Sequence, residues 1–182
     1  MIYLISGGTH AGKTLWAQRL MEERGWPYLS MDHVKMGLIR TGLCPLSPQA
    51  PDEEMTAFLW PVIREMIKTA VENGQNLIVE GCYLPFSWRE DFPPEYLAQI
   101  RAVWLIFSRD YILSRFSDIL AHAHDIERRL NDTCTQQELL RDNARLLAGC
   151  QAHACPYLLM EQHYPTSVLE LEELLCSPHQ CP

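Results

Sequence analysis

The run Gly7-Gly8-Thr9-His10-Ala11-Gly12-Lys13-Thr14 has the spacing G-x-x-x-x-G-K-[ST], a pattern of residue types that can hold a polyphosphate. Its glycines let the backbone turn so tightly that consecutive N–H groups point at one phosphate, and a helix opening at the lysine adds the positive end of its dipole. All eight residues are therefore expected to contact a nucleotide. Lys13 would reach the β- and γ-phosphates, and the Thr14 hydroxyl would ligate Mg2+. The flanks agree with this: the apolar stretch Ile2-Tyr3-Leu4-Ile5 comes before the run, and a helical pattern opens from Leu15. No N-K-x-D run for guanine occurs, so ATP is the expected nucleotide.

Three further places bear on what could accept or activate a phosphoryl group. Asp32, in Leu29-Ser30-Met31-Asp32-His33-Val34-Lys35, follows a candidate strand, and neighbouring parallel strands open onto one crevice at their carboxyl ends. A carboxylate there can take the proton of an acceptor hydroxyl or help hold Mg2+, and it can equally serve as a helix N-cap. Lys35, one turn on, could pair with an anionic substrate group or remain a solvated lysine. Leu77-Ile78-Val79-Glu80-Gly81 has the form of an apolar strand ending in an acid, so Glu80 is expected to support Mg2+ through a water beside Thr14. Arg115, Arg128 and Arg129 lie in an arginine-rich stretch that could close over the migrating group, where positive charge contributes most. The same arginines could instead make ordinary surface pairs. Contacts to the acceptor are expected from Lys35, Arg40 and Tyr83, with Trp60 and Trp88 as further candidates.

These residues need a scaffold that brings their segments to one edge. Strand-like and helix-like stretches alternate, which predicts a parallel sheet covered by helices on both faces. Strands are expected at residues 3–6, 28–31, 76–80, 102–107 and 157–160. Their apolar residues come in near-continuous runs, such as Val103-Trp104-Leu105-Ile106-Phe107, as strands buried on both sides require. Helices are expected at 13–24, 32–41, 52–72, 109–122, 136–150 and 167–175, with a short one opening at Pro93-Pro94. Pro61 falls inside the third of these, which predicts a kink or break near Trp60. The tail from Cys176 onward is expected to fray.

At 182 residues, with 47% hydrophobic and 21% charged residues, the chain should form one packed α/β domain over residues 1–182. A net charge of −8 argues against nucleic acid as the main partner. No apolar run is long enough to span a bilayer and no charged leader precedes the first strand, so a cytoplasmic protein without membrane contact is expected. Its seven cysteines form no C-x-x-C pair, which points to reduced thiols, and the spacing of His122, His124 and Cys134 matches no zinc pattern. The pattern leaves the oligomeric state open.

Taken in order, the loop at Gly7–Thr14, the segment around Asp32, the strand ending at Glu80 and the arginine pair resemble the small P-loop kinases of the adenylate-kinase-like group. That resemblance implies a three-layer P-loop NTPase fold, with a five-stranded parallel sheet in the order 2-3-1-4-5. It also implies a substrate-binding helical insert around residues 32–73 and a lid around 115–133. The adenylate kinase pattern has an arginine soon after the acid and glycine of its third strand. Here Glu80-Gly81 is followed by Cys82-Tyr83-Leu84-Pro85, and no arginine comes before Arg89. The threonine-glycine ahead of the aspartate is also missing, and both departures weigh against AMP as acceptor. A lone aspartate after the second strand is similar instead to chloramphenicol phosphotransferase, zeta-toxin and 2-phosphoglycerate kinase relatives, in which it serves a hydroxyl acceptor. The resemblance thus implies an ATP- and Mg2+-dependent transfer of the γ-phosphoryl group to a small molecule, a hydroxyl favoured over a nucleoside monophosphate. A nucleotide-hydrolysing regulatory switch is the alternative from another class.

Overall fold

The computed structural model describes residues 1–122, 126 and 134–176. Strands and helices alternate through β1 (Ile2–Gly7), α1 (Lys13–Arg24), β2 (Tyr28–Ser30), α2 (Met31–Arg40), α3 (Asp52–Glu72) and β3 (Leu77–Glu80). They continue through α4 (Pro94–Leu97), β4 (Ile100–Phe107), α5 (Arg109–Ala121), α6 (Gln136–Ala152), β5 (Tyr157–Met160) and α7 (Val168–Cys176), with a 3-10 turn at Trp88–Asp91 that the sequence pattern did not announce. Among the described residues, every expected strand is present, and the longer helices begin and end within two residues of the expected positions. The strands form one sheet in the order β2-β3-β1-β4-β5, and all four pairings are parallel.

The apolar strands divide the core by their two-residue alternation. Ala102, Trp104 and Ile106 of β4 pack on one face with Leu59, Ile63 and Ile67 of α3 and with Leu146 and Cys150 of α6. Val103, Leu105 and Phe107 face the other way, onto Trp16, Ala17 and Leu20 of α1, Ile112 of α5 and Leu171 of α7. Each large aliphatic or phenylalanine side chain among these contributes about 1.5–3 kcal/mol on burial, so the two faces share the work of ordering the central strands.

Local chemistry sets the helix ends. The αL residue Gly25 closes α1, its N–H donating to Met21 O. Thr135 and Glu138 form a reciprocal capping box at the start of α6. Of the kink or break expected near Trp60, the break does not occur: α3 runs unbroken from Asp52 through Pro61 to Glu72. Pro61 and the residue four before it, Ala57, are both exposed, so the carbonyl left without an amide partner can be met by water. Helical geometry is interrupted instead at Arg115, inside α5, with φ −124° and ψ 15°. Among the described residues no helix is long and apolar enough to cross a membrane.

Candidate active site

The phosphate-binding loop joins the central strand β1 to α1, so both of its ends are fixed by the core. At its entrance the Gly8 N–H donates to Leu105 O at 3.3 Å, and a Cβ on Gly7 would collide with that same Leu105 carbonyl. At its exit Gly12 has φ +79°, and a Cβ there would strike the Tyr164 hydroxyl. Lys13 Nζ donates to Gly8 O at 2.9 Å, which holds the ammonium across the loop. His10 takes the left-handed conformation with φ 61°, uncommon for a residue with a side chain.

Two residues outside the motif brace this loop. Tyr164, in the segment after β5, donates its hydroxyl to Ala11 O at 3.0 Å and stacks on Trp16 with ring centroids 6.2 Å apart. Burial pushes its phenol above the ordinary range, so it stays a donor. Asn143 of α6, also buried, accepts from the Phe107 N–H at 2.8 Å and donates to Leu139 O at 2.8 Å. Its amide lies where a Cβ on Gly8 would come within 3.2 Å, so it packs directly on the loop. The motif alone could name neither residue. Their only sequence signals are a position just beyond a strand's carboxyl end and a polar residue in the apolar stripe Leu139, Asn143, Leu146, Cys150.

Strand register places Glu80 beside the loop, since it lies level with Ile5 of β1 and Ser30 of β2. Glu80 is 2% exposed, and its Oε2 accepts from the Thr14 hydroxyl at 3.3 Å. This hydroxyl and carboxylate at the mouth of a phosphate loop are hard oxygen donors of the kind Mg2+ takes. Among the described residues no group of three or more His, Cys, Asp and Glu could hold a metal alone. A cation here would complete its shell with phosphate and water oxygens, as Mg2+ commonly does.

Asp32 stands in the first turn of α2, where it is not the N-cap; that position is held by Ser30, whose side chain makes no capping hydrogen bond. Lys35 reaches back one turn to donate to Asp32 Oδ1 at 2.5 Å and to the Tyr83 hydroxyl at 2.8 Å. Its side chain is 11% exposed, against 42% for Asp32. Lys35 therefore sits behind the carboxylate and fixes its direction. The Tyr83 phenol is driven above its ordinary range by burial and by the neighbouring Cys82 and Asp32, so it remains protonated. Burial likewise pushes the Cys82 thiol up to about 11, Lys13 only partly opposing it.

Two cavities open along the carboxyl edge of the sheet. One, of about 510 Å3, is lined by His10, Thr14, Arg19, Arg115 and Tyr164 among others. The other, of about 760 Å3, lies between the first turns of α3, the segment after β3 and α6, with Tyr83, Cys82, Thr56 and Arg145 in its walls. Lys13 and Asp32 line both.

The remaining expected site residues are dispersed. Arg115 lines the smaller cavity and pairs with Asp118 at 3.4 Å, 52% exposed. Arg40 is exposed at the end of α2 and lines neither cavity. Trp60 and Trp88 are core residues, Trp60 donating its Nε1–H to Asp91 Oδ2 at 2.7 Å. Arg128 and Arg129 lie outside the described residues, as does His124. Arg145, which the sequence did not single out for the site, is brought there by α6.

No protein-family model matches the chain, and no curated protein matches its sequence. Solved structures do share its shape. A sugar kinase from Janibacter sp. superposes with a TM-score of 0.53 at 17% identity, over 100% of this chain and 98% of that one. A gluconokinase from Sinorhizobium meliloti gives 0.51 at 15% identity, over 95% and 88% of the two chains. A deoxyadenosine kinase from M. mycoides gives 0.51 at 12% identity, over 96% of each. With the parallel sheet order β2-β3-β1-β4-β5 and the phosphate loop at its central strand, the protein has the fold of the small P-loop kinases.

Proposed function

We propose that the protein is an ATP-dependent, Mg2+-requiring kinase that transfers the γ-phosphoryl group to a hydroxyl of a small molecule. The observation that carries this reading is the meeting of two cavities at Lys13 and Asp32. A nucleotide held by Gly7–Thr14 fills the smaller cavity, and its γ-phosphate points into the larger one, where the acceptor sits. A regulatory ATPase has no use for the second chamber.

In the reaction the acceptor oxygen bonds to the γ-phosphorus while the bond between that phosphorus and the β–γ bridging oxygen breaks, releasing ADP. Asp32, pinned by Lys35 with one oxygen turned to the cavities, receives the hydroxyl proton. Lys13 and the loop N–H groups neutralise the charge that spreads over the phosphoryl oxygens. Thr14 and Glu80 would hold Mg2+, which supplies further charge neutralisation and fixes the β- and γ-phosphates. Arg115, on the interrupted turn of α5, lines the smaller cavity and would add positive charge over the transferring phosphate, a role also expected of Arg128 and Arg129, which lie outside the described residues. Residues 32–73 supply part of the acceptor wall. The sugar kinase, gluconokinase and deoxyadenosine kinase that share the fold are consistent with a small-molecule acceptor.

The test is single-turnover phosphoryl transfer to a metabolite panel by the native protein and Asp32→Asn. The variant should bind ATP normally and transfer about 100- to 10,000-fold more slowly. Unchanged transfer removes Asp32 from the chemistry, and ATP hydrolysis that no metabolite stimulates favours the switch.

A further inference from the structure

The charge lining the acceptor cavity is unlike that of a site for an anion. Four carboxylates, Asp32, Asp52, Glu53 and Asp142, face two cations, Lys13 and Arg145. Lys13 is committed to the donor phosphates, and Lys35 cancels Asp32 from behind. Asp142 lies 3.7 Å from the exposed Arg141. What remains on the acceptor side is Arg145 against Asp52 and Glu53, the first two residues of α3. A helix N-terminus offsets only about half an elementary charge, so their two negative charges outweigh the dipole they stabilise. The opposite wall is apolar, with Leu84, Pro85, Phe86 and Leu146.

We infer that the acceptor is a hydroxyl compound carrying a protonated amine, an amino sugar or amino alcohol, rather than a carboxylate or a phosphate ester. Its ammonium pairs with Asp52 and Glu53, its carbon skeleton covers the Leu84–Phe86 wall, and its hydroxyl lies between Asp32 and the transferring phosphate. This rests on the kinase reading for the identity of the cavity and adds the charge class of its occupant. An anionic acceptor would meet a single arginine not already engaged with the donor, and two facing carboxylates.

Three pyranoses of matched skeleton test it: glucosamine, glucose and glucuronate, titrated into protein loaded with Mg2+ and a non-hydrolysable ATP analogue at low salt. Glucosamine should bind about tenfold or more tighter than glucuronate, with glucose between them, the scale of one or two partly solvated charges. In the double variant Asp52→Asn/Glu53→Gln that ratio should fall to about twofold, and in Glu53→Lys the order should reverse. Both positions are exposed in the first turn of α3, and a melting curve for each variant verifies folding. Glucuronate binding as tightly as glucosamine, a ratio indifferent to these variants, or no binding by any of the three overturns the inference. Fast transfer to an anionic acceptor refutes the amine assignment and leaves the kinase reading standing. ATP hydrolysis by the native protein that no metabolite stimulates refutes the kinase reading whatever the binding order.

Discussion

Replacing Glu80 by glutamine separates the cost of a buried charge from its use. The native side chain is 2% exposed and takes a hydrogen bond from Thr14 at 3.3 Å. Glutamine keeps an oxygen for that bond and removes the charge, so without nucleotide the variant should melt at or above the native temperature. The Mg2+-dependent part of nucleotide binding should suffer. At a ligand concentration near 100 Kd the native protein gains about 2.7 kcal/mol. For a chain of this size that is a rise of roughly 5–11 °C, at about 2–4 °C per kcal/mol. Loss of a metal-positioning carboxylate typically weakens such binding about 10- to 100-fold, which leaves about 0.4–1.4 kcal/mol, or roughly 1–6 °C. Differential scanning fluorimetry with ATP and Mg2+, and with ATP and EDTA, reads both quantities. With EDTA, the shift that ATP produces should be the same in both proteins. An undiminished Mg2+-dependent shift in Glu80→Gln would show that Glu80 takes no part in metal binding, and a drop of several degrees without nucleotide would show that the carboxylate serves the fold itself.

Gly12→Ala combines a left-handed φ of +79° with a Cβ against the Tyr164 hydroxyl, so ATP affinity measured by calorimetry should fall at least about 30-fold. Lys35→Met should lower kcat about 5- to 30-fold with the KM for ATP unchanged, because it frees a carboxylate that is only partly shielded from water. A rise in the KM for ATP instead would place Lys35 on the donor side. The Cys82 thiol is raised from 9.0 to about 11 in the folded chain, so the folded state holds its proton longer than the unfolded chain. The stability associated with it is complete below about pH 9 and lost as pH climbs from 9 toward 11, at most about 2–3 kcal/mol. Denaturant titrations of Cys82→Ala should show a shallower alkaline loss; an identical slope assigns it to other groups.

The meeting of Gly7–Thr14 with Glu80 was legible in the sequence because the loop carries its own spacing, and Glu80 ends an apolar strand whose neighbours are set by simple topology. The strands were legible for a related reason, since β4 is apolar on both faces and reads as a continuous run. The larger cavity draws its walls from α2, α3, the Cys82–Phe86 segment and α6, elements that only the completed sheet brings together. Spacing gave no warning that Arg145 would enter it or that Arg40 would stay out. Aromatic residues misled for the same reason, because Trp60 and Trp88 look alike as core or as ligand contacts until burial is known. Pro61 does not break α3, because the cost of a helical proline depends on the solvation of the carbonyl at Ala57, which no one-dimensional pattern contains.

The hydrogen bond from Tyr164 to Ala11 spans 153 residues of chain. A contact of such separation carries a large loop-closure cost and forms late. At a synthesis rate of about 5–20 residues per second, the loop exists for roughly 8–30 s before the tyrosine that braces it has been made. The Tyr164 brace therefore takes no part in the early folding of this protein. The loop reaches its braced form only after the fifth strand has docked and carried Tyr164 into place, so that form reports that nearly the whole sheet has assembled.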